Sequence, residues 1–326
     1  MDFNLSDVQQ SWKTKAEALG RELTEESAAA DVVMGAARFG VLDASADLLS
    51  AAVAVDALAA ESAGAAIALA LHTGVLLTLG PDDRFTALAR GEIVGAIALS
   101  TEDVPGEEGH RLTGRASLVG PLTDRGLAIV GARSGDALLA CAVALDTPGV
   151  GIEPIRTAAL QGFICGHVTL DAVPMTPVGA TVPFMIRVRI LLAAAGLGMG
   201  TRALRDALDA ARGYRGRGAG GEQTVQGLLA DAATELDAAR MLTWKAASAP
   251  SLSLAEASMA KLSATEATQR AVARATQVVG IDSFRRGHAV ERLAQDVRAL
   301  ELFAGRTEAL REAVADEVLP RSAGSR

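Results

Sequence analysis

Apolar and polar positions follow a helical period from the N-terminus to about Ile93: Ala-rich runs carry Glu and Arg three and four residues apart, with no β-branched alternation. The rhythm changes at Val94. From there to about Val173, short apolar runs (Ala96 to Leu99, Leu127 to Val130, Leu138 to Leu145, His167 to Leu170) are separated by Gly, Pro and Asp, the pattern of strands and turns. Thr147-Pro148-Gly149 is typical strand-connector chemistry. After Pro183 the helical spacing returns. Val225, Leu228, Leu229, Ala232, Leu236 and Ala239 trace one helix face, and Val290, Leu293, Val297 and Leu300 another. The expected fold class is therefore α+β, with an N-terminal helical domain over 1–93, a middle β domain over 94–176 and a C-terminal helical bundle over 177–326.

Composition narrows the function classes. The uncharged stretch from Ser62 to Gly80 is long enough to raise the question of a membrane span. It is mostly Ala and Leu but carries His72 and two Thr, and a helix apolar all round is also what the centre of a bundle needs, so no membrane span is expected. Seven Phe, two Trp and one Tyr are too few for a stacking platform, and a net charge of -8 is the wrong sign for a phosphate backbone. Nucleic acid is not an expected partner. Cys141 and Cys165 form no Cys-x-x-Cys or Cys/His cluster, which leaves no disulfide framework and no metal site and points to a reducing cytoplasm. The N-terminus lacks a basic segment followed by an apolar run, so no signal peptide is expected. Gly196, Gly198 and Gly200 lack the G-x-G-x-x-G spacing and follow no strand. They read as a small-residue face for close helix packing. The Gly-rich segment 213–221 reads as a connector between two helices.

The C-terminal third carries a more specific signal. Gln277-Val-Val-Gly280, Val290-Glu-Arg292, Gln295-Asp-Val-Arg298 and Phe303-Ala-Gly-Arg306 occur in order and without a gap. Upstream lie Gln223-Thr-Val-Gln226, Leu229-Ala-Asp-Ala-Ala-Thr-Glu-Leu-Asp-Ala-Ala-Arg240 and Arg189-Ile-Leu-Leu-Ala-Ala-Ala-Gly196. This series resembles the acyl-CoA dehydrogenase family over essentially the whole chain. The resemblance implies an N-terminal helical domain, a middle β domain and a C-terminal four-helix bundle. It also implies FAD as cofactor, an acyl thioester as substrate, a carboxylate base that removes the α-proton while hydride leaves the β-carbon, and an oligomer in which the cofactor reaches the neighbouring bundle.

The departures from the family pattern bear on function. The family's E-G-T base position is Ala304 here, and the alternative base position just before the bundle Arg is Val188. Losing a positioned base costs about 10²–10⁴ in rate. Glu301 is a substitute in principle, although a surface pair with Arg298 is the ordinary expectation. Arg189, next to the missing base, either keeps a site role or pairs with an acidic residue of the bundle. Arg285 and Arg286 read as a surface pair, and Glu291, Arg292, Asp296 and Arg298 as structural ion pairs. The ring-binding loop becomes Thr101-Glu102-Asp103-Val104-Pro105-Gly106, and the flavin-stacking Trp becomes Leu118. Of the residues that would reach a neighbour's FAD, Arg215 or Arg217, Gln277 and Gly280 remain, with Ile281 in place of the next Gly. The resemblance thus implies a base-less, non-catalytic chain of a heteromeric acyl-CoA dehydrogenase, with FAD shared with or held by a catalytic partner. The alternatives are a flavoenzyme with altered chemistry on a carrier-bound acyl group, and a flavin-free scaffold or acyl-ligand binder, and a homodimer is the alternative to a catalytic partner chain.

Overall fold

A computed structural model describes residues 4–43, 47–79, 83–98, 104–214 and 223–319. The first helical stretch forms α1 (Asp7–Glu22), α2 (Ala29–Phe39), α3 (Leu48–Ala59), α4 (Ala63–Leu76) and the short α5 (Asp83–Ala89). Side-chain caps set several starts: Ser6 and Gln9 close a capping box on α1, and Asp47 and Ser62 accept the free N–H groups that open α3 and α4. Gly40, at φ +68°, ends α2 in the left-handed conformation that favours glycine. Most of the stretch that raised the membrane question, from Ala63 to Leu76, is α4, and every residue of that helix is buried. His72 ties it to its surroundings: Gly95 N–H donates to Nδ1 at 2.9 Å, and Nε2–H donates to the Leu88 carbonyl at 3.2 Å.

Strands β1 (Val94–Ala98), β2 (Gly106–Glu108), β3 (Arg111–Gly120), β4 (Gly126–Ser134), β5 (Ala137–Ala144), β6 (Val150–Ile155), β7 (Cys165–Pro174) and β8 (Thr176–Ala180) form one sheet ordered β6-β7-β3-β1-β4-β5-β8, with β2 pairing β3 and β4. A second, smaller core on one sheet face holds Leu112, Ala116, Val130, Cys141, Val168 and Leu170, while the main core joins the other face to the helices.

The bundle comprises α6 (Thr181–Tyr214), α7 (Gln223–Ala247), α8 (Leu254–Val279), a 3-10 turn (Gly280–Phe284), α9 (Ala289–Leu302) and α10 (Thr307–Val318). The long axis α6 packs on α3, α4, α7, α8 and α9. It is long and apolar enough to cross a membrane, but 72% of its most apolar window is buried inside the protein, as befits a core helix. Its three glycines serve two faces rather than one. A Cβ on Gly198 would stand 2.1 Å from the Asp56 carbonyl on α3, whereas Gly196 faces Leu300 of α9 and Thr268 of α8, and Gly200 faces Leu236 of α7 and the same Thr268. Residues two apart on a helix cannot share a face.

Candidate functional site

Val188 and Arg189 lie on α6, and Ala304 and Gly305 form the tight turn between α9 and α10, with φ +55° and +113°. The fold brings these sequence-distant positions together. Arg189 Nε donates to the Ala304 carbonyl at 3.0 Å, and its Nη1 donates to Ser258 Oγ on α8 at 2.7 Å. One turn along α8, Lys261 Nζ donates to the Gly305 carbonyl at 2.9 Å. Two buried cations therefore grip the backbone of the turn that bears the family's base position. Neither makes an ion pair among the described residues, so the second of the two alternatives for Arg189, a pair with an acidic residue of the bundle, is not what the structure shows. Burial, reinforced by the Arg189 charge and opposed by Glu301, pulls the Lys261 ammonium down to about 7. Burial also lowers the Arg189 guanidinium. Lys261 was not singled out in the sequence, because a lysine on a helix ordinarily faces water.

Neither base position has a working group or room for one. Val188 is 0% and Ala304 1% exposed, so neither side chain touches a space that admits water. Phe303 packs on Phe163 with ring centroids 5.9 Å apart, and a Cβ on Gly120 would stand 2.7 Å from the Phe163 ring. Glu301 accepts from Gln269 Nε2 at 2.9 Å and Thr307 Oγ1 at 3.2 Å and lies 3.7 Å from Arg298. Its carboxylate is occupied by structural partners, and the Arg298 pair read from the helix spacing is present. Asp296 departs from the ion-pair expectation: it accepts from the Leu160 backbone N–H at 2.6 Å, 136 residues away in sequence.

On the sheet, Leu118, which the resemblance sets at the ring-stacking position, has φ +52°. A β-bulge between Ala116 and Val119 sets Ser117 and Leu118 opposite the single residue His167 of β7, and Ser117 Oγ and His167 Nδ1 are 3.0 Å apart. With no aromatic ring at Leu118 and with Phe163 filling the space beside Gly120, this face does not fit a flavin ring. The loop residues 101–103 lie outside the described residues.

The far end of the bundle is more open. Gln277 is exposed, and Gly280, at φ +72°, has nothing within 4 Å of where its Cβ would be. Beside them Ile281 and Phe284 are 81% and 72% exposed. Ile281 points away from the chain. Arg285 makes the expected surface pair, 3.4 Å from Asp282. The adjoining cleft of about 690 Å³ is lined by Arg202, Arg292 and His288 but also by Asp206, Asp209 and Asp282. Arg202 is paired with Asp206 and Arg292 with Glu25, so the described lining alone is no diphosphate cradle. Arg215 and Arg217 lie outside the described residues. At the head of the bundle a second cleft, of about 680 Å³, runs along Leu48, Pro183, Ile186 and Leu252, with Arg187 on its wall. It begins one residue before Val188 without reaching that side chain. Among the described residues no group of His, Cys, Asp or Glu could hold a metal ion. Cys141 and Cys165 are free and buried, and burial, aided by the Glu107 charge, pushes the Cys141 thiol up to about 11.

Comparison with known proteins agrees with this geometry. Residues 182–319 match the family model described as acyl-CoA dehydrogenase, C-terminal domain. An acyl-CoA dehydrogenase of Bacillus subtilis is 29% identical over 306 residues, covering 81% of this chain and 81% of that protein. The 3-sulfinopropanoyl-CoA desulfinase of Paraburkholderia xenovorans is 30% identical over 198 residues. That match spans 56% of this chain and about half (51%) of the relative's own length. The fold superimposes on butyryl-CoA dehydrogenase from Megasphaera elsdenii with a TM-score of 0.86 at 20% identity, covering 98% and 100% of the two chains. The chain is similar to acyl-CoA dehydrogenases over most of its length and shares their fold, and the expected sequence of helical domain, β domain and helical bundle is the one observed.

Proposed function

We propose that this chain is the base-less subunit of a heteromeric, FAD-dependent acyl-CoA dehydrogenase, working beside a catalytic chain that oxidises the Cα–Cβ bond of an acyl thioester. One observation carries the reading: Val188 and Ala304 are apolar and enclosed, and the carbonyls of the Ala304–Gly305 turn are held by Arg189 and Lys261. Restoring catalysis here would require both a carboxylate and the space for a thioester beside it. FAD, when bound in the complex, supplies the hydride acceptor. The sheet face of this chain does not fit the ring, so no step is assigned to a flavin of its own. Its part is to present the exposed end of the bundle, with Gln277, Gly280 and the apolar Ile281 and Phe284, to a cofactor held by the partner. Free, buried thiols suit a reducing compartment, and we place the protein in the cytoplasm.

The test is the visible spectrum of the purified chain, alone and co-expressed with a full-length family member. Flavin absorbance only in the mixed complex, with fewer flavins than chains, is expected. A homo-oligomer with one FAD per chain that reduces an electron acceptor on adding an acyl thioester would refute the reading, and a colourless complex would favour a scaffold. The similarity to a protein named a desulfinase supports a second reading, a flavoenzyme whose chemistry on an acyl thioester is not α,β-dehydrogenation. Absorbance from the chain alone would favour it.

A further inference from the structure

One turn of the β domain meets both helical domains. It runs from Leu160 to Phe163, between β6 and β7, and closes through a hydrogen bond from the Phe163 N–H to the Leu160 carbonyl at 2.9 Å. Leu160 and Gly162 hold positive φ, +55° and +78°. On the N-terminal side its backbone is close-packed: a Cβ on Gly64 would stand 2.2 Å from the Gln161 carbonyl, and one on Gly162 2.5 Å from the Ser27 carbonyl. At its far end the turn delivers Phe163 to the space beside Gly120 and Phe303.

Among the described residues a single side chain hydrogen-bonds to this turn. Asp296 Oδ1 of α9 accepts from the Leu160 N–H at 2.6 Å. Asp296 is 7% exposed and makes no ion pair among the described residues. Facing it are Glu291 and Arg292 of its own helix, Glu25 before α2, Glu61 before α4 and Arg202 of α6. Both arginines are engaged elsewhere, Arg292 with Glu25 at 3.2 Å and Arg202 with Asp206 at 3.1 Å. Burial, reinforced by Glu25 and Glu291 and opposed by the Leu160 N–H and Arg292, raises the Asp296 carboxyl to about 6. A buried carboxylate held by one donor is costly while charged, and displacement of the turn would give it water.

We propose that Asp296 is a positioning residue acting on Phe163 through this turn: neutral, it keeps the turn shut, and ionised, it loosens it, so that the space between Gly120 and Phe303 is sealed in mild acid and opens transiently at neutral pH. The inference rests on the packing of Phe163 and not on the subunit reading, which the flavin spectrum tests separately. The sign follows from linkage. The closed turn binds more protons than the open one, so opening becomes easier as pH rises from 3.8 to 6 and levels off above.

Hydrogen exchange of the full chain, followed by mass spectrometry at pH 5 and 7 and corrected for intrinsic rates, reads this opening. The opening constant for the 160–163 amides is expected to rise about tenfold from pH 5 to 7. The buried amides of α6, exposed only by global unfolding, are expected to show no such rise. D296N keeps an acceptor oxygen without the charge, and its 160–163 amides are expected to open equally at both pH values. An opening constant that does not change with pH, exchange of the turn only in step with α6, or a tenfold rise that survives in D296N overturns the proposal. If D296N does not fold, the comparison of the turn with α6 in the wild-type chain still decides.

Discussion

Lys261→Met tests the electrostatics of the gripped turn. The ammonium falls from 10.5 in the open chain to about 7 in the fold, chiefly through burial. That difference corresponds to about 4–5 kcal/mol of stability forgone when the group must be charged. Between pH 7 and 10.5 the unfolded chain binds more protons than the folded one, so stability rises with pH across this window and is lost as pH falls toward 7. From pH 7 to 9 the wild type should gain about 2 kcal/mol from this group alone. Methionine matches the shape and removes the charge, but it leaves the Gly305 carbonyl without its donor, at a cost of about 1–3 kcal/mol. The variant should therefore be more stable than wild type at pH 7 by about 1–3 kcal/mol, and its advantage should shrink by about 2 kcal/mol at pH 9. Urea unfolding followed by far-ultraviolet circular dichroism at both pH values measures this difference. A gap between the two proteins that does not change from pH 7 to 9 would refute the assignment of a buried, destabilised ammonium.

Other consequences can be checked with similar means. Burial holds His72 down to about 4, so its contribution of about 3 kcal/mol is present above pH 6.5 and is lost as pH falls toward 4. Asp296, raised to about 6 mainly by burial, acts oppositely: its destabilisation is present above pH 6 and is relieved as pH falls toward 3.8. The two nearly cancel in the wild type, so D296N should lose stability more steeply between pH 6 and 4, as read by thermal melts across that range. Gly198→Ala drives a methyl into the Asp56 carbonyl and should cost at least about 1–3 kcal/mol. Gly213→Ala, with nothing within 4 Å among the described residues, should be neutral or slightly stabilising, and denaturation midpoints compare the two. Ser253→Ala opens the capping box of α8 and should cost about 1 kcal/mol in the same assay.

Legibility in the sequence followed periodicity. The face traced by Val290, Leu293, Val297 and Leu300 is buried as its spacing requires, and of the other face Ala232, Leu236 and Ala239 are buried while Val225, Leu228 and Leu229 are half-buried against the core. Strand β3 was not legible, because its bulges break the alternation that marks a strand: Leu112 and Ala116 face the smaller core, and the side chains change phase before Val119. Strands β6 and β8 leave little trace in the sequence for another reason. Both are short edge strands with most residues exposed, so little apolar pattern marks them.

The sequence by itself determined that the two positions to which the resemblance assigns the family's base, Val188 and Ala304, are apolar, because residue identity at a position is a local fact. It also determined the order of helical and β segments, since each period records which side of an element meets water. Only the tertiary structure decided that Val188 and Ala304 are sealed, that Phe163 and Phe303 occupy the neighbouring space, and that Lys261 and Arg189 reach the turn from two other helices. These facts depend on contacts between residues as far apart in sequence as Arg189 and Ala304 or Phe163 and Phe303, and no local period encodes such distances.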